Sequence, residues 1–102
     1  MIYLNRLFKH DTVIICSGRN DICKKETIEW LDRHEVYYIE LLMRKSEDRR
    51  NDVEVKRDML NYIRNKYGNP SLAIEDRQRV VDFWRSEGIT CLQCEKWEEK
   101  EN

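Results

Sequence analysis

A chain of 102 residues holds enough material for one hydrophobic core and not for two. Its 19 basic and 20 acidic side chains leave a net charge of -1, which excludes whole-molecule attraction to nucleic acid or anionic membrane, so any anion site must be local. No apolar run approaches the ~18 residues of a membrane span, and "MIYLNRLFKH" has neither the apolar stretch nor the cleavage site of a signal peptide, so a cytoplasmic chain is expected.

Strand and helix patterns then alternate. "MIYLNRLFKH" puts Ile2, Leu4, Leu7 and Phe8 near one side, which suits a short amphipathic helix. "TVIIC" is a continuous run of the kind found in strands covered on both faces. "KKETIEWLDRH" returns to helical spacing, with Thr27, Ile28 and Leu31 inward. "VYYIELLM" reads as the second strand, and "RKSEDRRND", which has no apolar residue, as a solvated loop.

From Asp52 to Tyr67 the positions Val53, Leu60, Ile63 and Tyr67 recur at helical intervals. Asp52 is the expected N-cap, and Gly68 followed by Pro70 marks the stop. "SLAI" (71–74) is a third strand, "EDRQRVVDFWRSEG" a helix closed by Gly88, and "ITCLQC" a fourth strand. Residues 1–94 are read as a single domain and residues 95–102 as a charged tail that frays unless Trp97 docks.

The alternation predicts an α/β fold with a doubly wound, Rossmann-like parallel sheet of about four strands flanked by helices. Such sheets bind ligands at the carboxyl ends of their strands. Ser17, Gly18, Arg19 and Asn20 follow the first strand, where exposed N–H groups and a hydroxyl suit phosphate, or simply a turn. After the second strand come Arg44, Lys45, Arg49 and Arg50, read mainly as a solvated basic face. Lys56 lies one turn past Asp52 on the side of Val53 and Leu60; an inward lysine there needs an anionic partner. After the third strand, Glu75 and Asp76 either cap the next helix or bind Mg²⁺.

The four cysteines add no site. Cys16 and Cys91 fall in apolar runs as small hydrophobes, and Cys91 with Cys94 lacks the second pair that a structural zinc requires. An extended "ITCLQC" would also turn those two thiols to opposite faces.

Taken together, "CSGRND", "RRNDVEVKRDML" and "LAIEDRQRVVDFWRSEGITCLQ" resemble the haloacid dehalogenase superfamily, and within it the 3′-phosphatase domain of bacteriophage-type polynucleotide kinases. The resemblance runs from about Thr12 to Gln93. It implies that Ser17 is the second-motif hydroxyl and Lys56 the third-motif lysine, both on the transferring phosphate. It implies further that Lys56 pairs with the acidic cluster, and that Asp76, less directly Glu75, holds Mg²⁺. Arg19, Arg50 and Arg77 fall on family arginines near the substrate or the acidic loop, and the phosphate-binding set becomes Ser17, Gly18, Arg19, Lys56 and Arg50.

The same family attacks phosphorus with the first aspartate of a D-x-D-x-T or D-x-D-x-V motif at the end of a central strand. The 102 residues contain no such pattern. His10 and His34, at helix ends, offer no replacement. With that strand absent, direct pairing of residues 12–16 with 71–74 is expected, giving the order 37–42, 12–16, 71–74, 90–93. A strand from a second chain or an exchange between two copies is the alternative.

The expected function is that of a degenerate phosphatase-like module. Without a nucleophile it would bind a phosphorylated nucleotide, a nucleic-acid end or a protein partner, in the manner of a phage-type inhibitor or adaptor. Any Mg²⁺ would be held weakly. The alternative is a fragment of an Mg²⁺-dependent 3′-phosphatase whose nucleophile strand comes from upstream or from another chain.

Overall fold

The computed structural model describes residues 12–97. The helix expected over residues 1–10, the end of the tail and the side chain of Trp97 lie outside the described residues. In chain order the elements are β1 (Ile14–Asn20), a 3₁₀ turn (Asp21–Cys23), α1 (Lys24–Arg33), β2 (Glu40–Arg44), α2 (Asp52–Lys66), β3 (Ala73–Arg77), α3 (Gln78–Ser86) and β4 (Cys91–Trp97). The chain divides into two compact units after Arg49.

In the first unit β1 and β2 run parallel, with Ile14 opposite Glu40 and Ser17 opposite Met43, then an irregular stretch before Asn20 meets Arg44. The connection is α1. Asn20 starts the turn by accepting a hydrogen bond from the Ile22 N–H at 2.9 Å. In α1 Thr27 and Leu31 are buried, in keeping with their phase, while Ile28 is half-buried. The helix ends where Glu35 takes a positive φ of 54°.

None of Ile14, Ile15 or Cys16 is fully buried, contrary to the reading of a strand enclosed on both faces. Among the described residues of this unit, two strands and one crossover helix supply too little apolar surface to enclose a sheet. The second strand begins at Glu40 rather than Val36, directly after Ile39 N–H bonds the Val13 carbonyl at 2.9 Å.

The second unit carries the larger core. Leu60 of α2, Val80, Val81, Phe83 and Trp84 of α3, then Ile89 and Cys91, form one buried cluster, with Val53 and Ala73 packed on it. β3 and β4 are parallel, pairing Ala73 with Cys91, Ile74 with Leu92 and Glu75 with Gln93. Paired neighbours share a face, so Ala73 and Cys91 enter the core while Ile74 and Leu92 stay exposed. Gly68 and Gly88 end α2 and α3 with φ of 99° and 80°, the left-handed conformation that glycine adopts without steric penalty.

Four sequence expectations are corrected here. The N-cap of α2 is Asn51, whose Oδ1 accepts from the Glu54 N–H at 3.0 Å, because Asp52 has already entered the helix. The third strand covers 73–77 rather than 71–74, so Asp76 is a strand residue and caps nothing; Arg77 stands at the N-cap of α3 without a side-chain cap. β4 spans Cys91–Trp97 in place of the strand expected over "ITCLQC", because the parallel pairing extends to Arg77 opposite Trp97.

Finally, the strands form two two-stranded parallel sheets, β1–β2 and β3–β4. Among the described residues no ladder joins residues 12–16 to 71–74. The α/β character and the parallel pairing are as expected, whereas among the described residues the four strands fall into two sheets in place of one.

Candidate functional site

Lys56 is the buried charge among the described residues of the second unit. It sits one turn into α2 among the inward residues Val55, Met59 and Leu60, and is only 7% exposed. Such burial is unfavourable for an ammonium without a counter-charge. The counter-charge is Glu75, whose Oε1 lies 3.5 Å from Lys56 Nζ, with 9% and 13% of the two side chains exposed.

Glu75 is engaged beyond that pair. The same Oε1 accepts the indole N–H of Trp84 at 3.3 Å, and Oε2 accepts the backbone N–H of Arg77 at 3.4 Å. Strand alternation turns the next residue the other way: Asp76 is exposed, held through its backbone carbonyl, which accepts from Gln93 Nε2 at 3.1 Å. The adjacent carboxylates are thus sorted, one to the lysine and one to the exterior.

A second ion cluster fixes the start of α2. Asp52 Oδ2 is engaged by Arg77 Nη1 and lies 3.6 Å from Arg79 Nη2, tying the first turn of α2 to the junction of β3 and α3. Lys56 follows one turn later, so this tether also sets the height of the lysine along β3. Arg50, expected at phosphate, pairs with Asp58 at 2.6 Å in an exposed position.

An ammonium has three N–H donors, and 3.5 Å is longer than a well-formed hydrogen bond. Lys56 therefore keeps capacity for a further anion. Magnesium fits less well. Glu75 is committed to Lys56, Trp84 and Arg77, which leaves Asp76 as the available carboxylate, and among the described residues no group of three or more His, Cys, Asp or Glu is placed to hold a metal. One carboxylate is a partial Mg²⁺ site at most.

In the first unit the predicted anion-binding tip is more extended than a glycine turn. Gly18 lies within β1, and the described glycines with positive φ are Gly68 and Gly88. Ser17 Oγ accepts the backbone N–H of Arg19 at 3.1 Å, which leaves its own proton to donate, and Arg19 is exposed. Arg44 braces this tip from β2: Nε donates to the Gly18 carbonyl at 3.0 Å and Nη1 to the Asp48 carbonyl at 3.2 Å. Asn20 Nδ2 donates to the Ser46 carbonyl at 3.1 Å, pinning the same loop.

Sequence reasoning missed Arg44, which it read as solvated charge, and Trp84, which it read only as a helix residue. Trp84 was findable: Val80, Val81 and Trp84 share one apolar face of α3, which folds back over the strand that precedes it. Arg44 had no signal, because a guanidinium on two backbone carbonyls leaves no trace in residue spacing.

Comparison with known proteins gives a consistent answer. The sequence model of the polynucleotide kinase PNKP phosphatase domain, a haloacid-dehalogenase-type domain, matches residues 2–98. A protein of Autographa californica nuclear polyhedrosis virus, named for polynucleotide kinase and RNA ligase activities, is 37% identical over 79 residues, covering 74% of this chain and 11% of that protein. Two solved structures of the Pnkp1/Rnl/Hen1 complex, one titled an RNA repair complex, superpose with TM-scores of 0.86 and 0.84 at 27% identity. Each covers 94% of this chain, which spans 32% and 34% of theirs. This chain belongs to the phosphatase-domain family of polynucleotide kinases.

Proposed function

We propose that this chain grips the phosphate of a 3′-phosphorylated nucleic-acid end and does not hydrolyse it unaided. The observation that carries this reading is the buried Lys56, offset by one carboxylate at 3.5 Å and retaining donors for a second anion. In the first unit, taken by itself, Ser17, with a hydroxyl proton to give, and the exposed Arg19 offer donors of the kind a phosphate takes. Gly18 contributes close backbone, and Arg50 adds positive charge if it leaves Asp58. Asp76 serves as one weak ligand to Mg²⁺, the ion on which phosphatases of this type rely.

Hydrolysis needs an activated nucleophile and a general acid, each typically worth orders of magnitude in rate. No D-x-D-x-T or D-x-D-x-V motif stands in the 102 residues. Under this reading the chain acts as a binding module for an RNA or DNA end, or for a protein that presents a comparable anion.

The test is affinity for an oligonucleotide ending in 3′-phosphate against the same oligonucleotide ending in 3′-hydroxyl, with and without Mg²⁺. A preference for the phosphate that disappears in Lys56→Met, without release of inorganic phosphate, is expected. Equal affinity for both ends would overturn the proposal. Phosphate release that is lost in Asp76→Asn would overturn its non-catalytic part.

A second reading has its own support in the match to a phosphatase-domain family by 102 residues that hold no D-x-D-x-T or D-x-D-x-V motif. In it, a strand bearing the attacking aspartate comes from other polypeptide and completes a 3′-phosphatase. Adding a polypeptide that carries such a strand should then produce phosphate release and a heavier species in light scattering; neither change would dispose of it.

A further inference from the structure

Trp84 is 6% exposed, and its ring packs beside Phe83 with centroids 5.1 Å apart. Packing needs only the ring. The indole N–H is a separate matter, because a buried donor must find an acceptor. It finds Glu75 Oε1, the same oxygen that faces Lys56 Nζ.

The Glu75 carboxylate is therefore held from three segments: by the indole of α3, the ammonium of α2 and the Arg77 N–H of its own strand. The three restraints are not equivalent. Lysine is a point charge on a flexible four-carbon stem and fixes its partner poorly. An indole in a packed core has no such freedom. Of the two contacts on Oε1, the shorter one, from a planar ring with two side-chain torsions, sets where the oxygen sits, and the ammonium at the end of its four-carbon stem follows it.

We infer that Trp84 is a positioning residue for Lys56: its N–H fixes Glu75 Oε1, and that oxygen fixes the ammonium beside β3. The inference rests on the phosphate-binding role proposed above for Lys56. It gives Glu75 the part of a holder for the lysine in place of a metal ligand. Asp76 then remains the acid that faces outward.

The test uses the full chain and compares Trp84→Phe, which keeps an aromatic ring and removes the donor, with Glu75→Gln and the double variant. The first measurement needs no ligand: the ¹⁵N–¹H signal of the Lys56 ammonium. It should shift and broaden in Trp84→Phe, and the double variant should look like Glu75→Gln alone. An unmoved Lys56 signal in folded Trp84→Phe would overturn the inference.

The second measurement is the preference for a 3′-phosphorylated over a 3′-hydroxyl oligonucleotide. Trp84→Phe should reduce it about 3- to 10-fold, the scale of one ordinary hydrogen bond, because the loss reaches Lys56 only through Glu75. Affinity for the 3′-hydroxyl end should stay unchanged, with no further loss in the Glu75→Gln background. Equal loss for both ends, or losses that multiply, would reduce Trp84 to packing and overturn the inference. If the unaltered chain shows no preference, the phosphate reading fails, while the ammonium signal still decides the link from Trp84 to Lys56. Should Trp84→Phe not fold, benzothienylalanine at position 84 keeps the indole shape without the N–H, and the same outcomes apply.

Discussion

Lys56 Nζ lies 3.5 Å from Glu75 Oε1, a helix cation and a strand anion brought together where neither side chain is more than 13% exposed. Removing one partner strands the other. Glu75→Gln leaves a buried ammonium without its counter-charge and should lower stability by about 3 kcal/mol. Lys56→Met should be milder, because the Trp84 and Arg77 N–H groups still bond the carboxylate. The double variant Lys56→Met with Glu75→Gln should recover part of either loss. Urea unfolding of the four proteins measures the coupling, and strictly additive losses would mean the pair does not interact.

Neighbouring residues at the start of α2 should respond differently to salt. Asn51→Ala removes a hydrogen-bonding cap and should lower stability by about 1 kcal/mol at any ionic strength. Asp52→Ala removes the contacts to Arg77 and Arg79, so its effect should shrink as salt screens the pair. Thermal melts at low and high salt separate the two. A salt-dependent Asn51 effect would show that the cap has been assigned to the wrong residue.

This pair also marks what could be read before the structure. The helical period of 52–67 was plain, and so was the inward phase of Lys56, since both follow from residues a few positions apart. Its partner could be named only as one of two adjacent acids. The choice depends on where β3 ends: with the strand ended at Ile74, Asp76 reads as a cap or a Mg²⁺ ligand, and its place inside the strand follows only from the pairing of β3 with β4. The strand pattern of "TVIIC" was legible, whereas its half-exposure was not, because burial depends on how many other elements arrive to cover it. For the same reason a single continuous sheet was inferred where two pairs of strands are found.

Alkaline pH should weaken the second unit through Cys91. Burial pushes its thiol above the ordinary value; the Arg85 charge opposes the rise, and Glu75 and Cys94 add to it. The unfolded chain then loses the thiol proton at lower pH than the folded one. The thiol's contribution is therefore fully present below the unfolded value, about 8.5, and is lost as pH rises from there through the folded value. Chemical unfolding between pH 7 and 10 should show this decline, and Cys91→Ala should flatten it. Thiol labelling at pH 8 should modify the exposed Cys94 before Cys91. Equal labelling rates would contradict the assigned burial.

Gly88 offers a test of backbone conformation alone. A Cβ at this position would meet nothing within 4 Å, so Gly88→Ala should act only through the positive φ and destabilise by about 1 kcal/mol. Gly68→Ala should behave alike for the same reason. Replacement of Gly88 by Asn, which tolerates this conformation better, should be less harmful than Ala. Equal melting temperatures for all the Gly88 variants would contradict the left-handed turn.

The pleat of β3 has one consequence for how this chain can change over time. Glu75 and Asp76 carry the same charge and differ by one methylene, yet their duties are allotted by odd or even position along the strand. Exchanging the two residue types would keep each duty at its place with a side chain of altered reach. Losing a single residue just ahead of Ala73 would instead hand the lysine an aspartate meant for the exterior, gaining one would hand it Ile74, and either would turn the core outward. Mutation by substitution is thus open to this segment, and mutation by frame along the strand is closed.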